Sequence, residues 1–275
     1  MIRLLRSLLP LFFALIPYFS CYSQPLTLLS WNLKEMGNSK DATEILIIAQ
    51  TIHSTDIVAI QEVVAGQGGA QAVAKLAAAL NTMGAAWDYM ISDPTVSSSP
   101  YKSERYAFLW KKSRVKLATK PWLQKGEYAN LIDREPYFAT FEQNGKRFTV
   151  VNFHAIAKSS QPETEIKYLR YLPREYPGLK LIFAGDFNLP QSHSVFNPLK
   201  NMGYRSALVN QKTSLRQECL PDGCLASEFD NIFYVPNNFN VTGKGIIDFY
   251  KQADTFEKAR YISDHVPIYI KFTIL

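Results

Sequence analysis

The chain has 275 residues, 47% of them hydrophobic and 20% charged, with a formal net charge of +6. This ordinary globular balance is long enough to bury a sizeable core. No self-similar period of about 20–50 residues is visible, so a solenoid or other repeat array is excluded and one domain is the economical reading.

The first 23 residues stand apart from that domain. Arg3 and Arg6 precede a short apolar run over 8–16, and small residues follow at Ser20 and Ser23. This is the pattern of a secretory signal peptide, too short for a membrane span. Cleavage after Ser23 makes 24–275 the expected mature domain. The alternative is lipid attachment at Cys21, which would tether the protein to a membrane. Losing Arg3 and Arg6 from the 30 basic residues leaves 28 against 24 acidic ones, a net +4. That mild basic bias suits an anionic substrate without demanding one.

Beyond the leader, 26–32 (LTLLSWN) reads as a buried strand and 41–54 as a helix. Asp41 and Glu44 are spaced as a capping box. A second buried strand follows at 56–63 (DIVAIQEV), then an Ala-rich helix at 68–83. WDYMIS, RYAFLWK and VKLAT are strand candidates. Asn144-Gly145 joins two strands over 136–155 as a hairpin. PETEIKYLRYLPREY reads as a helix, KLIFAGDFN as a buried strand with a polar mouth, and FDNIFYV and VPIYIKF as late strands. Cys219 and Cys224 flank a Pro-Asp-Gly turn, and in an exported chain they are expected to close a local disulfide. Zinc is the weaker alternative, because no metal-spaced partner accompanies them. Strands alternate with helices early and then come in runs. The expected fold is an α/β sandwich, with two mixed sheets packed face to face and helices outside.

Strand after strand ends in a polar group: Asn32, Glu62, His154, Asp186 with Asn188, Asp230, and Asp264 with His265. Polar groups gathered at sheet edges are a common way to build an active site. Each has a plainer alternative, such as a surface Glu, an Asx-type turn at Asp186–Asn188, or a solvated turn at Asp264–His265. Residues i and i+2 of an extended chain point the same way, so Asp186 and Asn188 would face one point. These hard oxygen donors, without clustered sulfur, suit Mg²⁺ or Mn²⁺. His154 and His265 can serve as acid or base near neutral pH. His53 and His193 have no convergent polar company. Arg134 can offer a fixed, bidentate guanidinium to a phosphate.

In order, WNLKEMG, DIVAIQEV, YKSERYAFLWK, REPYFATF, VNFHA, AGDFN, FDNIFYV and ISDHVPIYI resemble the endonuclease/exonuclease/phosphatase superfamily over 26–273. YKSERYAF and REP resemble its secreted deoxyribonuclease I branch most. The resemblance implies a four-layer α/β sandwich of the deoxyribonuclease I type and a metal-dependent endonuclease that hydrolyses DNA phosphodiesters with low sequence specificity. It implies that Glu62 holds the metal with Asn32 close by, and that Asp264 supports the metal or phosphate region. Asp186 and Asn188 would position the scissile phosphate, water or a second metal, and Arg134 would contact phosphate. His154 and His265 would form the acid/base pair, oriented by Glu104 and Asp230 respectively.

The chain also departs from that branch. Val64 stands where a basic residue commonly reaches into DNA. Tyr101, the candidate DNA-contacting tyrosine, precedes a one-residue insertion in YKSERY. A calcium-binding loop is not recognisable in LATKPWLQKGEYANLID, which leaves Ca²⁺ open beside Mg²⁺. The disulfide expected at Cys219–Cys224 differs from the one in the family. The expected partner is DNA, with no stable protein partner and a monomeric state. The competing expectations are a phosphoesterase of the same superfamily acting on a phospholipid or inositol phosphate, and a catalytically inactive binding module.

Overall fold

The computed structural model describes residues 24–275, and the expected leader with Cys21 lies outside the described residues. In chain order the first half holds β1 Leu26–Met36, α1 Ala42–Ile52, β2 Ile57–Val64, α2 Gln67–Asn81, β3 Trp87–Ile91, β4 Glu104–Lys111, β5 Lys116–Leu117, β6 Trp122–Leu123, β7 Tyr137–Gln143 and β8 Lys146–His154. The second half holds α3 Glu163–Ile166, α4 Leu172–Glu175, β9 Leu181–Asp186, α5 Asn197–Asn201, β10 Arg205–Ser206, β11 Leu215–Leu220, β12 Gly223–Leu225, β13 Asp230–Tyr234, β14 Phe239–Ile246, α6 Phe256–Ile262 and β15 Ile268–Ile274.

Local chemistry sets several of these boundaries. Asp41 caps α1 by accepting from the Glu44 N–H at 2.9 Å, and Glu44 returns a bond to the Asp41 N–H at 2.8 Å. This reciprocal pair is the capping box expected from the spacing. Asn144 and Gly145 both have positive φ, 52° and 76°, as a two-residue hairpin between β7 and β8 requires.

Two mixed sheets pack face to face. The first runs β14-β15-β1-β2-β4-β3, the second runs β10-β13-β9-β8-β7-β5, and β6 also pairs with β7. β1 and β2 are parallel, as are β8 and β9, whereas the other ladders are antiparallel.

Side-chain alternation explains the layers. Leu28, Ile57, Ala59 and Phe108 of the first sheet meet Phe141, Val150, Ile182 and Ile232 of the second in the central core. Their chain neighbours Leu29, Val58, Ile60 and Leu109 face outward onto Ile48, Ile52, Val73 and Leu76 of α1 and α2. On the far side, Phe138, Val151, Phe153 and Phe183 pack on Ile166, Leu172 and Leu199 of the short helices. The period of two along each strand thus builds a helix–sheet–sheet–helix sandwich, as expected.

One polar bridge crosses the apolar seam between the sheets. Gln61 donates to the Asn152 amide oxygen at 2.5 Å and to Ser30 Oγ at 3.1 Å. Asn152 in turn donates to the Ile60 carbonyl at 3.0 Å. All three side chains are buried, and the bridge ties β1 and β2 to β8 one layer below the polar strand ends.

Two expectations need correction. The helix expected over 162–176 is broken into α3 and α4 with a 3-10 turn at Leu169–Tyr171 between them. Pro173 lacks an N–H and clashes with the carbonyl four residues back, so a continuous helix cannot pass it. The strand read in VKLAT shrinks to β5. The stretch 237–250, unassigned from the sequence, contains β14, whose exposed Asn240, Thr242 and Lys244 hide the strand signal on a sheet edge.

No helix among the described residues is long and apolar enough to cross a membrane.

Candidate active site

The strand order places the polar ends side by side. His154 of β8 lies in register with Asp186 of β9, and Asp186 with Asp230 of β13. Three functional side chains therefore stand at one level on three adjacent strands. From the first sheet, β1 and β2 deliver Asn32 and Glu62 toward the same point. Asn32 Nδ2 donates to Glu62 Oε1 at 2.9 Å and to Asp186 Oδ2 at 3.2 Å, so this one amide joins the two sheets.

Each imidazole has its own carboxylate behind it. His154 Nδ1 lies 2.9 Å and 3.0 Å from the two Glu104 oxygens. His265 Nδ1 lies 2.7 Å from Asp230 Oδ2. The opposite ring nitrogens converge, since both Nε2 atoms stand 3.6 Å from Asp186 Oδ2. A carboxylate on Nδ1 fixes the ring and leaves Nε2 facing the cluster.

The two imidazoles differ in their affinity for a proton. Burial, reinforced by the Arg134 cation, holds His154 down to about 4. Burial opposes protonation of His265 too, but the Asp230 and Asp186 carboxylates more than offset it and raise its pKa well above the usual 6.5. Burial pushes the Glu104 carboxyl up to about 7, with Arg134 pulling the other way. Asp186 is also raised by burial, against the pull of His265. The site thus pairs a neutral imidazole with a cationic one, which gives it a proton acceptor and a proton donor.

The donor set suits a hard divalent cation. Glu62, Asp186 and Asn32 share one hydrogen-bonded node, and Asp186, Asp230 and His265 bring ligand atoms within 4.8 Å of one another. Buried carboxylates crowded in this way are costly without a cation. The Asx turn weighed for Asp186 is present, as Oδ1 accepts the Asn188 N–H at 2.8 Å, and it leaves Oδ2 for the cluster. Asn188 Nδ2 donates to the Ala155 carbonyl at 3.1 Å. Half-buried Asp264 accepts the Leu215 N–H on its carbonyl at 2.6 Å, and its charge helps raise His265.

With this geometry in view, comparison with known families is decisive. The model of the Endonuclease/Exonuclease/phosphatase family matches residues 29–265. The chain belongs to that family. None of the curated proteins matches it by sequence. Among solved structures, the human Nocturnin catalytic domain with bound sulfate is similar at 18% identity and a TM-score of 0.65, covering 91% of this chain and 95% of that one. A Bacteroides thetaiotaomicron mannosyl-6-phosphatase is 20% identical with a TM-score of 0.61, covering 90% of this chain and 99% of its own. D. rerio TDP2 complexed with a single-strand DNA product is 18% identical with a TM-score of 0.60, again covering 90% and 99%.

Two expected substrate contacts of this family member occupy unexpected settings. Arg134 spends its donors internally. Nε bonds the His154 carbonyl at 3.1 Å, Nη2 bonds the Ala155 carbonyl, and Nη1 reaches Glu104 at 3.4 Å. In this structure it scaffolds the His154–Glu104 pair. Tyr101 is 99% exposed, so it has no packing role. It lines, with Glu62, Val64, Glu104 and Arg134, a cleft of about 660 Å³ beside the cluster. Cys219 and Cys224 are bonded, as expected, and their disulfide closes the β11–β12 hairpin.

Sequence reading missed two buried hydroxyls. Ser263 Oγ donates to the Asn32 carbonyl at 2.6 Å and accepts the His265 N–H at 2.9 Å, which locks the two strand ends together. Thr213 Oγ1 accepts the N–H groups of Phe229 at 3.1 Å and Asp230 at 2.9 Å. Ser263 stood in the SDH triplet and was readable there. Thr213 carries no local signal, because only tertiary pairing brings it to Asp230.

Proposed function

We propose that this chain is an exported, divalent-metal-dependent phosphodiesterase that cleaves DNA with low sequence preference, acting as a monomer. The observation that carries the reading is the convergence of two carboxylate-backed imidazoles on Asp186, each with Nε2 at 3.6 Å. Hydrolysis of a phosphoester needs a proton taken from water and a proton given to the leaving oxygen. One neutral and one cationic imidazole, both held within 3.6 Å of one carboxylate oxygen, meet both needs.

Glu62, Asp186 and Asn32, supported by Asp264, are the residues to hold the ion, Mg²⁺ or Mn²⁺. Such an ion supplies charge neutralisation on the phosphoryl oxygens. Asp186 and Asn188 orient the attacking water in line with the leaving oxygen. Glu104 and Asp230 keep the imidazoles in the required tautomer. Arg134 acts mainly by fixing His154, and its remaining donor capacity faces the same cleft. DNA is favoured among phosphoesters by the YKSERYAF and REP segments and by the single-strand DNA product in the related TDP2 fold.

The test is a nicking assay on plasmid and single-stranded oligonucleotide with Mg²⁺, Mn²⁺ or EDTA, beside His154→Ala and His265→Ala. Metal-dependent cleavage that both variants lose is the expected result. Full activity in either variant sinks the acid/base assignment. Turnover of phospholipid or inositol phosphate without DNA cleavage moves the substrate class.

A further inference from the structure

A groove of about 570 Å³ lies between the end of β1, the β11–β12 hairpin and α6. Its walls include Lys34, Gln217, Glu218, Phe256, Arg260 and Tyr261. Each wall is tied to a residue of the cluster. The Lys34 N–H donates to Asn32 Oδ1 at 3.0 Å. The hairpin base pairs Ser214 with His265, and α6 runs directly into Ser263.

The groove is a built feature. Arg260 Nη1 donates to the Leu215 carbonyl at 3.0 Å and the Arg216 carbonyl at 2.5 Å, pinning the hairpin to α6. The Cys219–Cys224 disulfide staples the far end of the same hairpin. Two structural devices thus frame a cavity whose three walls each lead back to the cluster.

Its lining selects a ligand class. Tyr261 leaves 64% of its surface exposed, and Phe256 is also partly open. Lys34 and Arg260 are balanced by Glu218 and Glu257, so the groove is no track for a polyanion. Aromatic faces bordered by an amide and carboxylates fit a flat, uncharged ring with hydrogen-bonding edges. We propose that this groove is a subsite for an unpaired nucleobase flanking the scissile phosphate. A base can enter it only when unstacked from a duplex, so the preferred substrate is single-stranded. The inference rests on the phosphodiesterase reading above.

The experiment compares thymidine 5′-(p-nitrophenyl phosphate) with methyl p-nitrophenyl phosphate. The two share a leaving group, but only the first carries a base. Tyr261→Ala should lower the ratio of their kcat/KM values by about tenfold, the scale of one lost base stack, and Tyr261→Trp should restore it. Wild-type protein should also cleave an unpaired oligonucleotide faster than the same strand in a duplex. An unaltered ratio overturns the subsite while leaving the phosphodiesterase reading intact. If neither ester is hydrolysed, that reading fails, and calorimetric binding of thymidine 5′-monophosphate decides the groove alone. Tenfold weaker binding to Tyr261→Ala supports it, and equal binding overturns it. Equal displacement by mannose 6-phosphate would assign the groove to a sugar and also overturn it.

Discussion

Asp230→Asn tests whether the carboxylate behind His265 drives the chemistry. Asp230 Oδ2 sits 2.7 Å from His265 Nδ1, both groups are buried, and Asp230 is the first of the carboxylates that raise this imidazole's pKa. The substitution keeps the volume and the Thr213 bond to the Asp230 N–H, which is a main-chain contact. It removes a charge-assisted hydrogen bond of about 1.5–3 kcal/mol and frees the ring to choose the wrong tautomer. Loss of positioned acid–base catalysis costs about 10²–10⁴ in kcat. Stability supplies an independent reading. A folded pKa above the ordinary 6.5 gives His265 a stabilising increment that is full below 6.5 and fades as pH rises through the folded value. The increment shrinks in the variant, so denaturation curves of the two proteins in EDTA should differ most below pH 6.5 and approach each other in alkali. Turnover of methyl p-nitrophenyl phosphate and a histidine NMR titration are the assays. A variant with near wild-type kcat and an unmoved His265 titration would refute the dyad.

EDTA should lower turnover by at least about 10³-fold, with Mg²⁺ or Mn²⁺ restoring it, because the carboxylate-rich cluster cannot neutralise a phosphate alone. Arg134→Ala should cost about 3 kcal/mol in urea denaturation, since it removes the guanidinium's bonds to the His154 and Ala155 carbonyls and the cation beside buried Glu104, whereas a residue serving only substrate would cost almost nothing. Gly185→Ala should lose about 3 kcal/mol or more, seen as a sharp drop in Tm. The residue has φ 152°, and a Cβ there would lie 1.8 Å from the Phe153 carbonyl oxygen.

The sandwich was legible because its strands are apolar and bounded by polar residues, and the capping box and Asn-Gly hairpin are local codes. The two imidazole–carboxylate pairs were legible only through resemblance. Glu104 and His154 are fifty residues apart, and spacing alone cannot join them. Arg134 shows the limit differently. Its REP setting suggests a phosphate contact, but burial beside the His154 and Ala155 carbonyls gives those donors nearer partners. α6 escaped notice because seven residues display too little of a helical period, although Thr255 caps it through the Lys258 N–H.

The backbone itself explains why the acids point where they do. Lys34, Glu35, Glu62 and Asn188 all have positive φ, at 34°, 52°, 59° and 52°. None is glycine, so each carries a conformational cost. For Lys34, Glu35 and Glu62 the costs fall where the ladders slip, between Asn32 and Met36 on β1 and between Ile60 and Val63 on β2. A bulge turns the strand locally and re-aims a side chain that regular pleating would send elsewhere. At β2 the turn swings the Glu62 carboxylate toward Asn32 while its N–H meets Glu104 Oε1 at 3.3 Å. At β1 the Glu35 N–H meets Glu62 Oε2 at 3.1 Å. Two strained strand ends thus brace one carboxylate from both sides, and the hydrogen bonds that hold them depend on its charge. Neutralising Glu62 therefore loosens the bulges as well as any ion it holds, so strain and metal affinity should fall together.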